Sequence, residues 1–80
     1  MPDPIPDAAA LGRAVQAIRA EKGISQIQLS ESTGLMQSWI SNIEHGRRNP
    51  AWSNVGRLAE GLGVSVSELA ARAEDCAQPE

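Results

Sequence analysis

Apolar residues recur along this chain at the spacing of helices, not of strands. Leu11, Ala14, Val15 and Ile18 stand at i, i+3, i+4 and i+7, which lines one face of an α-helix. Asp7 precedes that run as an N-cap, and Gly23 supplies a C-terminal stop. A second helix opens at Ser25, whose spacing from Gln28 makes an S-x-x-Q capping box. It turns Leu29 inward and ends at Gly34 after about two turns, too short to stand without neighbours. A third helix runs from Met36 to His45, with Gly46 after it. At about 100° per residue, Trp39, Ile40 and Ile43 share one arc of it. Gln37, Ser38, Ser41, Asn42 and His45 share the other. A fourth helix, from Trp52 to Leu62, buries Val55, Leu58, Ala59 and Leu62; Gly56 softens it, and Gly61 and Gly63 weaken and end it. Ser65 and Glu68 form a second capping box and open a fifth helix carrying Leu69, Ala70 and Ala73. No segment alternates like a strand, and no internal repeat is visible.

This pattern divides the chain into three parts. Residues 1–7 hold three prolines and read as a flexible or extended arm. Residues 8–74 form a compact all-α domain of five helices. Residues 75–80 are polar, contain a proline, and read as a frayed tail.

Composition narrows the class. Eighty residues make one small domain, and 41% apolar content suffices for a modest core. With no Phe and no Tyr, that core must be built from aliphatic side chains. No apolar run approaches the ~20 residues of a membrane span, and the first residues lack the basic start and apolar stretch of a secretory signal. The single cysteine, Cys76, cannot make an internal disulfide, so the chain is expected in the reducing cytoplasm.

The net charge of −3 is unusual for a nucleic-acid binder. Its distribution matters more than its sum. From Arg13 to Arg48 five basic residues face three acidic ones; from Asn49 to Glu80 two basic residues face five acidic ones. The middle of the chain is mildly basic between two acidic ends, a weak footprint that needs help from symmetry or partners.

Candidate chemistry is sparse. One His, one Cys and no Tyr, without Ser-His-Asp or metal-ligand spacing, predict no enzyme, no catalytic residue, no cofactor and no metal. His45 stands alone and reads as a surface residue. The third helix is the exception. Its polar face carries amides and hydroxyls where an ordinary solvated face carries Glu and Lys. The tight T-G-L-M linker at Gly34 lets the second and third helices cross steeply as a helix-turn-helix. The third helix then projects its polar face outward, and the major groove of DNA is wide enough to accept it.

Four segments resemble one family. They are L-G-R-A-V-Q-A-I-R, G-I-S-Q-I-Q-L-S, T-G-L-M-Q-S-W-I-S-N-I-E-H-G-R-R-N-P and L-A-E-G-L-G-V-S-V-S-E-L, between Leu11 and Leu69. Together they are similar to the phage Cro/repressor-type helix-turn-helix family, also called XRE-like. The resemblance implies a five-helix, lambda-repressor-like domain that binds operator DNA, commonly as a dimer. It implies that Gln26 bonds a phosphate and buttresses the recognition helix, in keeping with the free amides at a helix N-terminus; the plainer reading is a surface glutamine. Gln37, Ser38, Ser41 and Asn42 match the base-reading positions, where Gln and Asn can pair with adenine and Ser with most base edges. Trp39 either packs against the second helix or contacts the sugar-phosphate backbone. Arg47, Arg48 and Asn49 match phosphate contacts, which fix register without carrying sequence information; a solvated basic loop is the alternative. Arg19 and Glu44 match a largely buried salt bridge between the first and third helices.

The chain also departs from the family pattern. Met36 stands where a capping Ser or Thr is usual, at a cost of ~1 kcal/mol; its apolar side chain could touch a thymine methyl. Ser30 stands where Ala is usual, and Ala51 where a capping Ser or Thr is usual. Trp52 is either a dimer anchor or a core edge. The expected function is a sequence-specific transcriptional regulator of double-stranded operator DNA, a homodimer, cytoplasmic and associated with the nucleoid. The alternative is an antitoxin or protein-interaction regulator on the same scaffold, with a toxin or polymerase as partner.

Overall fold

In the computed structural model, residues 7–77 are described, and they fold as five α-helices. These are α1 (Ala8–Lys22), α2 (Gln26–Thr33), α3 (Gln37–Glu44), α4 (Trp52–Leu62) and α5 (Val66–Ala77). No strand occurs among the described residues. The proposed N-terminal arm lies outside them except for Asp7, and so do the last three residues of the proposed tail.

Local chemistry sets most of the boundaries. Asp7 Oδ1 accepts the Ala10 amide at 2.8 Å and caps α1. Both capping boxes close. The Gln28 amide reaches Ser25 Oγ at 3.0 Å while Gln28 Oε1 accepts the Ser25 amide at 2.8 Å. Ser65 and Glu68 make the same exchange at 3.0 Å in each direction. Met36 and Ala51, the two positions without a polar side chain, cap α3 and α4 with no side-chain bond. The third helix is one residue shorter at each end than the sequence pattern predicts, with His45 as its C-cap.

The fifth helix runs to Ala77, three residues beyond the expected end of the domain. Tertiary contact explains the extension. Cys76 packs against the core, and its carbonyl accepts a 3.1 Å bond from Arg13 Nη2 on α1. Asp75–Ala77 therefore belong to the helix and not to a frayed tail.

The core is aliphatic, as the composition requires. Val15, Ile18, Leu29, Ile40, Ile43, Leu58, Leu62 and Leu69 are its largest fully buried side chains. They come from all five helices, so none of the short helices is stable except through the others. α1 is the hub and packs against α5 and α3, while α2 packs against α4 and α3.

Two glycines make the packing possible. Gly34 ends α2 with φ +76°, a left-handed conformation that a side chain would strain. That residue turns the chain sharply between α2 and α3. Ser30 Oγ donates to the Leu35 carbonyl, and Thr33 Oγ1 accepts the Leu35 amide at 3.2 Å, so the turn is pinned from α2. The serine that replaces the family's usual alanine thus satisfies a turn carbonyl. Gly12 serves a different purpose. A Cβ there would lie 2.3 Å from the Ile43 carbonyl oxygen and 2.7 Å from that of Glu44. Its missing side chain lets α1 approach the backbone at the end of α3.

Candidate nucleic-acid interface

The third helix presents one polar side because its other side is consumed by the core. Ile40 and Ile43 are fully buried, Gln37 and Ser38 in the first turn are exposed, and Ser41 and Asn42 are half-buried. Trp39 is partly buried and packs against the core, so its ring serves as packing at the edge of this face.

The end of α3 is clamped from the scaffold. Glu44 is 4% exposed, the one buried charged residue among those described. Arg19 grips its carboxylate with two bonds, Nε to Oε2 at 2.7 Å and Nη2 to Oε1 at 3.0 Å. A third Arg19 bond, Nη1 to the Ile24 carbonyl at 3.0 Å, ties the pair to the α1–α2 connection. The hydrogen bond to Glu44 raises the Arg19 pKa further above its ordinary value, so the guanidinium stays charged throughout the physiological range. Gln16 Nε2 holds the Glu44 main-chain carbonyl at 3.3 Å. No buried side-chain nitrogen or oxygen lacks a partner among the described residues, which is what a buried charge requires.

The clamp continues to the front of the helix. Gln26 Nε2 donates to Glu44 Oε1 at 2.9 Å, and Gln37 Nε2 donates to Gln26 Oε1 at 3.5 Å. A polar chain therefore links Arg19, Glu44, Gln26 and Gln37 across α1, α2 and α3. Gln26 thus bonds side chains at both ends of α3, Gln37 and Glu44. Gln37 spends one N–H in this chain and retains one N–H and its oxygen, the donor and acceptor that adenine requires.

The trailing loop is basic. Arg47 is exposed, its amide bonds the Asn42 carbonyl at 2.9 Å, and its Nη1 reaches Asn42 Oδ1 at 3.5 Å. Arg48 and Asn49 are exposed, and no ion pair involves Arg48 among the described residues. His45 is exposed as expected, with Nδ1 2.7 Å from the Ser41 carbonyl oxygen, a bond in which the ring nitrogen is the donor. Because Glu44 is neutralised by Arg19, the charge displayed at this end of the molecule is that of Arg47 and Arg48. The acidic surplus sits elsewhere. Glu60, Glu68, Glu74 and Asp75 are exposed on α4 and α5, and α5 packs on α1 and α4.

Two members of the clamp were not singled out from the sequence, Gly12 and Gln16. The signal was present. With Arg19 they fall at i, i+4 and i+7, a stripe of α1 beside its apolar face, and that stripe is what meets α3. Trp52 is 75% exposed and is not a core edge. It borders a shallow apolar groove with Leu11, Val55, Val66 and Leu69. Among the described residues no group of three or more His, Cys, Asp or Glu is placed to hold a metal ion, and no helix is long and apolar enough to cross a membrane.

Comparison with known proteins agrees with this architecture. The family described as a helix-turn-helix domain matches residues 10–71. The immunity repressor protein of Bacillus phage phi105 is 37% identical over 59 residues, or 74% of this chain. The matched region spans 41% of that repressor's length. Among solved structures, the clp gene regulator ClgR from C. glutamicum is similar with a TM-score of 0.86 at 27% identity, covering 96% of this chain and 97% of that one. The restriction-modification controller protein C.Esp1396I, solved as a tetramer in complex with its natural 35 base-pair operator, gives a TM-score of 0.75 at 27% identity, over 84% and 92% of the two chains.

Proposed function

The chain belongs to the helix-turn-helix domain family, and from that premise we propose that it is a transcriptional regulator that reads a specific operator through α3 in the major groove. The observation that carries this reading is the polar chain from Arg19 to Gln37. It spends a largely buried ion pair and one glutamine, Gln26, on holding one exposed amide, that of Gln37, at the front of a helix. A helix face that had only to be soluble needs no such fixing. Specific base recognition does, because a bidentate contact tolerates little misplacement.

In this reading Gln37, Ser38, Ser41 and Asn42 contact base edges. Gln26, Arg47, Arg48 and Asn49 contact phosphates, and Trp39 lies against the backbone at the margin of the groove. The relative seen on its operator supports DNA as the partner. A single copy carries few free cations at this surface, so one half-site would be held weakly. Two copies related by a two-fold axis would set two α3 helices about 34 Å apart, one turn of DNA. We therefore assign a homodimer on a palindromic site. Such a regulator works at the nucleoid, in the cytoplasm.

The test is competition binding. The expected result is preference for the operator, or for a site selected from random DNA, over scrambled DNA across a salt series. Gln37→Ala is expected to lose ~1–3 kcal/mol at the best site. Equal binding to specific and scrambled DNA at every salt concentration would remove the proposal.

A further inference from the structure

Three large apolar side chains are exposed among the described residues: Ile27, Met36 and Trp52. One of them, Met36, stands immediately before the helix assigned to base reading and is 72% exposed. It occupies the N-cap of α3, where Ser, Thr, Asp or Asn would bond a free amide of the first turn. Met36 makes no such bond. The position therefore forgoes local helix stability and also leaves a long apolar side chain in water. Neither feature helps the fold, since Met36 adds nothing to the buried core.

The neighbouring residue narrows what the side chain is for. Gln37 follows directly, and its amide is tethered through Gln26 to the buried Glu44. Whatever Gln37 meets, Met36 meets an adjacent part of it. In the major groove the base edges are donors and acceptors with one apolar exception, the C5-methyl group of thymine. A flexible, polarisable thioether suits contact with a small apolar group of variable position.

We propose that Met36 is a specificity-determining residue that reads the C5-methyl of a thymine at, or next to, the base pair contacted by Gln37. The inference rests on the operator-reading function above. Met36 supplies apolar discrimination beside the hydrogen-bonding discrimination of Gln37, and so makes the front of α3 selective for an A·T pair in a defined orientation.

The experiment uses the full chain and a site selected from random DNA. Each thymine in the site is replaced in turn by deoxyuridine, which removes only the methyl group. Wild-type protein is expected to lose about fourfold in affinity per half-site at one thymine position, the value of one buried methyl. Met36→Ser is expected to bind thymine and deoxyuridine equally there and to keep its response at every other position. Serine can cap α3, so this variant should be at least as stable as wild type, and thermal unfolding checks that it is. The inference is overturned if no thymine methyl matters to wild type, or if Met36→Ser is as methyl-sensitive as wild type. Either of those results alongside a retained preference for the selected site leaves the regulator reading standing. A wild-type protein with no preference for any site would overturn both.

Discussion

Arg19 on α1 and Glu44 at the end of α3 are joined by two parallel hydrogen bonds, 2.7 and 3.0 Å long, across 25 residues of sequence. The Glu44 side chain is 1% exposed and that of Arg19 22%. A pair in this setting adds little net stability over an apolar replacement, but loss of one partner leaves a buried charge without compensation. Arg19→Ala, which strands the buried Glu44 carboxylate, is expected to lower the unfolding free energy by ~3–5 kcal/mol, and Glu44→Ala, which leaves only the partly exposed Arg19, by less. Chemical denaturation followed by circular dichroism measures this. Arg19→Lys keeps the charge but not the fork, and should fall between wild type and Arg19→Ala. A loss under ~1 kcal/mol for Arg19→Ala would mean that the pair behaves as a solvent-screened surface pair and not as a buried clamp.

The glycines give a contrast in sign. Gly12→Ala places a Cβ 2.3 Å from the Ile43 carbonyl oxygen, so α1 must back away from α3. A destabilisation of at least ~1–3 kcal/mol is expected from the overpacking. Gly56 is also inside a helix, but a Cβ there meets nothing within 4 Å. Gly56→Ala should stabilise by ~0.5–1 kcal/mol through helix propensity and a less flexible unfolded chain. Thermal melts of the two variants should therefore move in opposite directions.

The second ion pair sets a mild acid dependence. Arg72 on α5 forks onto Glu21 on α1, and that hydrogen bond, followed by the opposite charge, holds the Glu21 carboxyl below its ordinary value. The unfolded chain then binds more protons than the folded one in the acid range, so stability rises with pH there. The contribution is complete above the ordinary carboxylate range and is lost as pH falls below that range and through the lowered Glu21 value. Both side chains are solvent-exposed, so the effect is small and screened by salt. Arg72→Gln should be less stable than wild type at neutral pH and low salt, and the gap should close on acidification and in concentrated salt. A gap independent of pH would assign the Arg72 effect to packing.

Base and phosphate contacts separate by their response to salt. Arg47→Ala should weaken binding to specific and scrambled DNA alike and reduce the slope of log affinity against log salt by about 1. Gln37→Ala should leave that slope unchanged and lower the preference for the specific site. Titrations over four or five salt concentrations distinguish the two. An Arg47→Ala variant with an unaltered slope would remove Arg47 from the phosphate set.

Much of this could be read before folding. Periodicity located all five helices, because each short helix survives only by burying a regular stripe. The capping residues and terminal glycines marked the ends, because helix termini leave backbone groups that only certain residues satisfy. Where those local signals were absent, the reading slipped. The end of α5 was not legible because Asp75 and Cys76 are weak helix formers and Pro79 follows closely; a bond from Arg13 to the Cys76 carbonyl and the contact of Cys76 with the core hold this end. Gly12 was missed because a glycine inside a helical pattern looks like a defect until the α3 backbone is placed against it.

Sequence alone determined most of the outward face of α3, since a helix that buries Ile40 and Ile43 turns Ser38, Ser41 and Asn42 away from the core, while Gln37 is exposed because it stands first in the helix. Local propensity and period suffice for that, because both act within a few turns of the chain. Tertiary structure decided how that face is held. Gln26 could have been a solvated surface residue, Trp39 a ring turned from the second helix toward a DNA backbone and Trp52 part of the core. Folding bonds Gln26 to Glu44, packs Trp39 and leaves Trp52 in solvent. The polar chain from Arg19 to Gln37 joins residues far apart in sequence, and such contacts exist only once the aliphatic core has brought α1, α2 and α3 together.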